Sequence, residues 1–120
     1  FTADGATKEE HKLVNETQKI LADPLIRVAA TAVRVPVLGG HSLAVNAELT
    51  EDFKLQEVVQ LLQATPGVVV QNDYIQHHYP MPIHAQHKDE VWVGRIRRDH
   101  SQPNTLHLQI AAHVSQWISL

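Results

Sequence analysis

An arginine and a histidine stand seven residues apart in TAVRVPVLGGHS, residues 31–42, and between them they could run proton chemistry on a bound acid. Arg34 sits in a β-branched run, and its guanidinium is a planar fork able to hold a carboxylate through two hydrogen bonds. His41 follows directly on Gly39-Gly40. An imidazole titrates near neutrality, so it can pass a proton to or from the substrate that the arginine holds. Two consecutive glycines let the backbone turn tightly enough to bring that ring back over the strand end. Taken alone, the pair reads more simply as a strand arginine with its head in water and a turn histidine.

Histidine is abundant, at nine in 120 residues, and several fall in HHYPMPIHAQHKD. His84 and His87 are weak metal candidates, three residues apart with His77, His78 or Asp89 close by. The segment reads as loop and matches none of the familiar zinc spacings, so no metal is expected. A solvated or interface cluster, making association pH-sensitive between about pH 5 and 7, is the simpler account. Aromatic and soft side chains that could anchor a protein partner are Trp92, Trp117, Tyr74, Tyr79 and Met81; each reads equally as core or rim.

What positions these groups follows from pattern. In ATKEEHKLVNETQKILADP, Thr7 and Glu10 have capping-box spacing, and Leu13, Val14, Thr17, Ile20 and Leu21 share one helical face until Pro24 stops the helix. IRVAATAVRVPVLGG reads as a strand covered on both faces, with Pro36 marking an edge, bulge or end. SLAVNAELT alternates, Leu43, Val45, Ala47 and Leu49 pointing one way. A second helix near EDFKLQEVVQLLQA has Leu55, Val58, Val59, Leu61 and Leu62 as its stripe, and Pro66-Gly67 ends it. VVV, EVWVGRIR and TLHLQIAA read as strands, the last with Leu106, Leu108 and Ile110 on one face; residues 72–90 form a long connection. The order α-β-β-α-β-β-β predicts an α+β domain spanning 1–120, with a mostly antiparallel, mixed sheet and helices on one face.

Composition narrows the function. At 120 residues, 43% hydrophobic, the chain supports one core. A formal net charge of −3 gives no electrostatic case for nucleic acid, and the basic run GRIRRD reads as a solvated strand edge. No apolar run approaches a membrane span, so no membrane partner and a cytoplasmic setting are expected. Cysteine is absent, which removes disulfides, thiolate zinc sites and a cysteine nucleophile from this chain.

TKEEHKLVNETQKIL, TAVRVPVLGGHS, YPMPIHAQHKDEVWVGRIRRD and NTLHLQ, in this order from about residue 5 to residue 110, resemble the aspartate-semialdehyde dehydrogenase family in its C-terminal, substrate-binding and dimerisation domain. The resemblance implies that Arg34 grips the substrate carboxylate, that His41 is the acid/base, that Glu9 binds the substrate amino group and that Lys12 contacts phosphate. Glu9 and Lys12, three apart in the first turn of a helix, can point the same way. It also implies a dimer and an NADP-dependent reaction in which a cysteine attacks the aldehyde. Neither that cysteine nor a glycine-rich strand-turn-helix is present in this chain. The expectation is therefore a chain with no cofactor and no activity of its own, its Arg34, His41, Glu9 and Lys12 vestigial.

The departures point further. Ala32 stands where relatives often have cysteine or serine, His11, His84, His87 and His100 replace other residue types, and HVSQWISL replaces a polar, lysine-bearing segment, with Val114, Trp117, Ile118 and Leu120 at roughly helical spacing. With the abrupt start FTADGATKEE, these features suggest a piece cut from something longer and an engineered scaffold that self-associates or binds a designed protein partner. The alternative is a natural fragment of the dehydrogenase.

Overall fold

The computed structural model describes residues 1–113, which fall into two compact units, Phe1–Pro36 and the chain from Val37 on. The expected anchor Trp117 and the apolar tail lie outside the described residues.

The first unit is built on helix α1 (Lys8–Ile20), and its start is the capping box that the spacing predicts. Thr7 Oγ1 accepts from the Glu10 amide at 3.2 Å, and Glu10 Oε2 accepts from the Thr7 amide at 2.7 Å. Both amides would otherwise lack a partner at the helix end. Thr7→Ala should weaken the first turn by about 1 kcal/mol, read as roughly fivefold faster amide exchange at Glu9–His11; unchanged exchange would show that the cap contributes nothing.

Ahead of the helix, Asp4 accepts from the Thr2 hydroxyl and the Ala6 amide and lies 3.2 Å from His11 Nε2. These bonds, that from Thr2 foremost, bring its carboxyl down to about 2. The ordering they provide is therefore complete above the ordinary carboxylate range and is lost as pH falls from about 4 to about 2. NMR titration of the Asp4 carboxyl should give that low midpoint, and Thr2→Val should return it toward 4.

The strand expected over residues 26–40 does not form. Ile26 and Val28 are half-buried, but the apolar side chains around Arg34 stand in the open, Val33 at 73% and Val35 at 54% exposure. β-branched residues favour a strand only where a neighbouring strand and a half-buried surface receive them, and Pro24 and Pro36 offer no N–H to a ladder. Two side chains of α1 hold this segment instead: Gln18 Nε2 donates to the Ile26 carbonyl at 2.8 Å, and Glu10 Oε1 accepts from the Ala32 amide at 2.8 Å.

The second unit contains β1 (His41–Glu48), α2 (Leu55–Ala64), β2 (Val68–Val70), a one-turn α3 (Pro82–Ala85), β3 (Val91–Arg98) and β4 (Thr105–Ala112). The observed order over the described residues is thus α-β-α-β-α-β-β. The four strands lie in the order β1-β4-β3-β2; β2 runs parallel to β3 and the other pairs are antiparallel. This is the mixed sheet of an α+β fold. Val93, Ile96 and Leu106 are the buried centre, with Phe53, Leu55, Val58, Val59, Leu62, Leu108 and Ile110 packed around them. The α2 stripe thus covers one sheet face, except that Leu61 points away at 69% exposure. In β1, Val45 and Ala47 are half-buried as the alternation predicts, whereas Leu43, and Leu49 just past the strand end, are each 38% exposed. The long connection 72–90 holds α3 and an isolated bridge from Asp73 to His78.

A β-bulge decides what the opposite face carries. Gly94 is opposite Gln109 and Arg97 is opposite His107, so Arg95 and Ile96 together face Leu108. Arg95 takes the left-handed conformation (φ 51°) and Ile96 turns into the core. The extra residue switches the faces. Arg95 and Arg97 are exposed as the solvated-edge reading expects, but Arg98 is not: it stacks over the Phe53 ring at 4.1 Å and bonds Asp52 at 2.8 Å.

Candidate functional site

Glu9, Lys12 and Arg34 belong to the first unit and His41 to the second. Glu9 and Lys12 are exposed in the first two turns of α1, where a three-residue spacing puts them on neighbouring positions of one face. Lys12 Nζ lies 3.7 Å from Glu16 Oε1, one turn further on, a surface pairing weak enough for the amine to be drawn to an incoming anion. Arg34 is exposed, two residues beyond the Ala32 amide that Glu10 holds. The stretch carrying the arginine is thereby tied to the first turn of the helix carrying Glu9 and Lys12.

Glu10 is the residue that sequence reasoning undervalued. Its two carboxylate oxygens serve two amides, one in the cap and one 22 residues on, and these bonds, Thr7 first and Ala32 second, keep its carboxyl below the ordinary range. The capping box accounts for one oxygen only; nothing local in the sequence signals the second.

His41 opens β1, exposed, in register with Ala112 at the end of β4. Gly39 and Gly40 both have positive φ, 75° and 76°, as the tight turn requires. A side chain at Gly40 would meet the Ala112 carbonyl at 3.1 Å, and one at Gly39 the His113 ring at 3.3 Å. The turn is seated against the end of β4, which fixes where the His41 strand starts. His113 Nδ1 is buried with no hydrogen-bond partner among the described residues, and the His113 ring lies 5.1 Å from that of His87.

The weak metal candidates face different neighbours. His84 Nδ1 lies 3.2 Å from Gln71 Oε1 and its ring 6.1 Å from Trp92, while His87 packs on His113. Among the described residues, no three His, Cys, Asp or Glu side chains converge as a metal site would need. Of the anchor candidates, Trp92 is half-buried beneath the Lys88 ammonium at 4.5 Å, and its Nε1 finds no partner among the described residues. Tyr74 and Tyr79 are 58% and 42% exposed, the Tyr74 hydroxyl donating to the Ile96 carbonyl, and Met81 is the half-buried cap of α3. Among the described residues no helix is long and apolar enough to cross a membrane.

Residues 1–114 match the family model described as semialdehyde dehydrogenase, dimerisation domain. The chain belongs to the semialdehyde dehydrogenase family. It is 43% identical over 113 residues to the aspartate-semialdehyde dehydrogenase of Bacillus subtilis, covering 93% of this chain and 33% of that one. It is 46% identical over 99 residues to that of Aquifex aeolicus, covering 82% and 29%. Among solved structures, aspartate semialdehyde dehydrogenase II of Vibrio cholerae complexed with ASA superposes with a TM-score of 0.88 at 39% identity, over 94% of this chain and 33% of that one. The chain spans about a third of the length of these semialdehyde dehydrogenases.

Proposed function

We propose that this chain is the substrate-binding and dimerisation part of an aspartate-semialdehyde dehydrogenase. The observation that carries the reading is the likeness, over nearly the whole chain, to the Vibrio cholerae enzyme whose structure holds ASA. Arg34 binds the substrate carboxylate through its planar fork, and Glu9 pairs with the substrate amino group. Lys12 receives phosphate as a point charge, and His41 moves the proton to and from the reacting carbonyl oxygen.

The residues present do not fit NADP. The described residues contain no glycine-rich loop opening a helix after a strand, and the only parallel strand pair, β2 and β3, is joined through the 71–90 connection. The cysteine nucleophile is likewise absent from the chain. By itself the chain is therefore non-catalytic, and its Arg34, His41, Glu9 and Lys12 act only when the remainder of a dehydrogenase is joined to it. An engineered origin and a designed partner, expected from Ala32, the histidines and the tail, find no support in the family matches, which a natural stretch of a longer enzyme fits equally. A second copy of the chain is the partner that the dimerisation description favours.

The test is a chimera in which this chain replaces the matching third of the Bacillus subtilis enzyme. Phosphate-dependent NADP reduction with aspartate semialdehyde is the expected result, and no reduction by the chain alone. A folded chimera without activity would overturn the proposal.

A further inference from the structure

Two adjacent glutamates open α1, and the structure gives them different work. Glu9 is exposed. Glu10, about 100° further round the helix, is half-buried, and its carboxylate reaches two backbone amides at once. At 2.7 Å to Thr7 and 2.8 Å to Ala32, both bonds have the length expected of an ionised acceptor. An ionised carboxylate has no proton of its own to place, so each oxygen can take a separate N–H. Glu10 is thus committed to the backbone, and Glu9 is the carboxylate left to meet an ammonium group.

The bond to Ala32 fixes the stretch that carries Arg34. From Ile26 to Ala30 the even-numbered residues are half-buried and the odd-numbered ones exposed, as in an extended chain lying along a surface. Gln18 holds the stretch at Ile26 and Glu10 holds it at Ala32, so it runs antiparallel to α1 between two side chains a little over two turns apart. Arg34 lies two residues past Ala32, about 7 Å of extended chain. Without Glu10, the nearest α1 side chain holding the stretch is Gln18, eight residues back from Arg34. A free arm four times longer dilutes the group at its tip about eightfold.

We propose that Glu10 is a positioning residue for substrate recognition: one carboxylate oxygen holds the helix start that carries Glu9, the other holds the stretch that carries Arg34, and together they set the spacing of the two grips to suit an α-amino carboxylate. The proposal rests on the roles given to Glu9 and Arg34 above. In such a ligand a single carbon joins the ammonium and the carboxylate, so both grips must stand in place at once. An arm already held in position binds without first being ordered. Glu10 meets neither the reacting carbonyl nor the proton carrier, so its loss acts on binding and leaves the chemical step alone.

The experiment has two arms. In the chain itself, Glu10→Gln keeps one acceptor oxygen, which can still close the capping box, and Ala32 amide exchange should become about fivefold faster. In the chimera, Glu10→Gln should raise KM for aspartate semialdehyde about eightfold with kcat within about twofold. Ala32→Pro keeps the Glu10 charge and removes only the N–H, and it should raise KM to a similar extent. Thr7→Ala weakens the helix start but spares both Glu10 bonds, so its KM should stay within about twofold of the parent. An inactive chimera, or one indifferent to Arg34→Ala, would overturn the substrate-site reading and this proposal with it. Once Arg34 is shown to bind, an unchanged KM in Glu10→Gln, or a loss confined to kcat, would overturn the positioning role alone. A KM raised by Glu10→Gln but not by a folded Ala32→Pro would overturn it too, since lost charge would then be the cause. An equal rise in Thr7→Ala would reduce Glu10 to a helix cap. If circular dichroism shows the proline variant unfolded, Ala32 exchange in Glu10→Gln decides, and an unchanged rate overturns the proposal.

Discussion

Arg34→Ala in the chimeric dehydrogenase should lower kcat/KM for aspartate semialdehyde about a thousandfold. Two hydrogen bonds from a guanidinium to a carboxylate contribute about 1.5–3 kcal/mol each, and every 1.4 kcal/mol is about a factor of ten. Arg34→Lys keeps the charge and loses the fork, so a loss of about ten- to a hundredfold is expected, mostly in KM. His41→Asn should behave differently. It leaves substrate binding in place and removes the proton carrier, so kcat falls by about 10²–10⁴ while KM changes little. The split between the two variants is the informative readout: equal losses in KM from both would mean that His41 binds rather than transfers protons. An Arg34→Ala chimera within about threefold of the parent would remove Arg34 from the carboxylate site altogether.

Gly94→Ala should destabilise the second unit by about 3 kcal/mol, lowering Tm by more than about 10 °C. A Cβ at this position would sit 2.0 Å from the Gln71 carbonyl oxygen and 2.4 Å from Pro80 Cδ, contacts that backbone and a proline ring cannot yield cheaply. The close approach has a purpose in the fold. It lets the connection after β2 lie against β3 at the bulge, where Asn72 Oδ1 accepts the Ile96 amide, the Tyr74 hydroxyl reaches the Ile96 carbonyl and Gln109 Nε2 donates to the Pro80 carbonyl. Gly67→Ala is the control. Its φ is +78°, but a Cβ there meets nothing within 4 Å, so only the left-handed backbone cost of about 1 kcal/mol is expected. If thermal unfolding gave the two variants the same loss, the contact argument at Gly94 would fail.

Where interactions are local, or a periodic pattern meets a ready surface, sequence determined the outcome. The Thr7–Glu10 box, the α2 stripe apart from Leu61, the Gly39-Gly40 turn and the register face of Leu106, Leu108 and Ile110 need only neighbours a few residues away or one apolar face, and these are present. The order of the family-like motifs was also legible, and the family they imply is the family that matches. The β-branched run at 26–40 does not form a strand because strand propensity is a demand for a partner, and among the described residues no strand pairs with it. Only the tertiary structure decided which way VWVGRIRR faces. By alternation alone, Arg95 and Arg97 would share a side with Val93 and point into the core, while Ile96 would point to water. The bulge at Arg95 and Ile96 reverses this, because burying Ile96 and freeing two guanidiniums outweighs the strain of one left-handed arginine. The same reversal sets Arg97 across from His107, whose other register partner, Asn46, meets Asp99 at 3.2 Å although the two are 53 positions apart. No spacing rule reaches that far, since what joins them is the pairing of β1 with β4 rather than anything either residue's neighbours dictate.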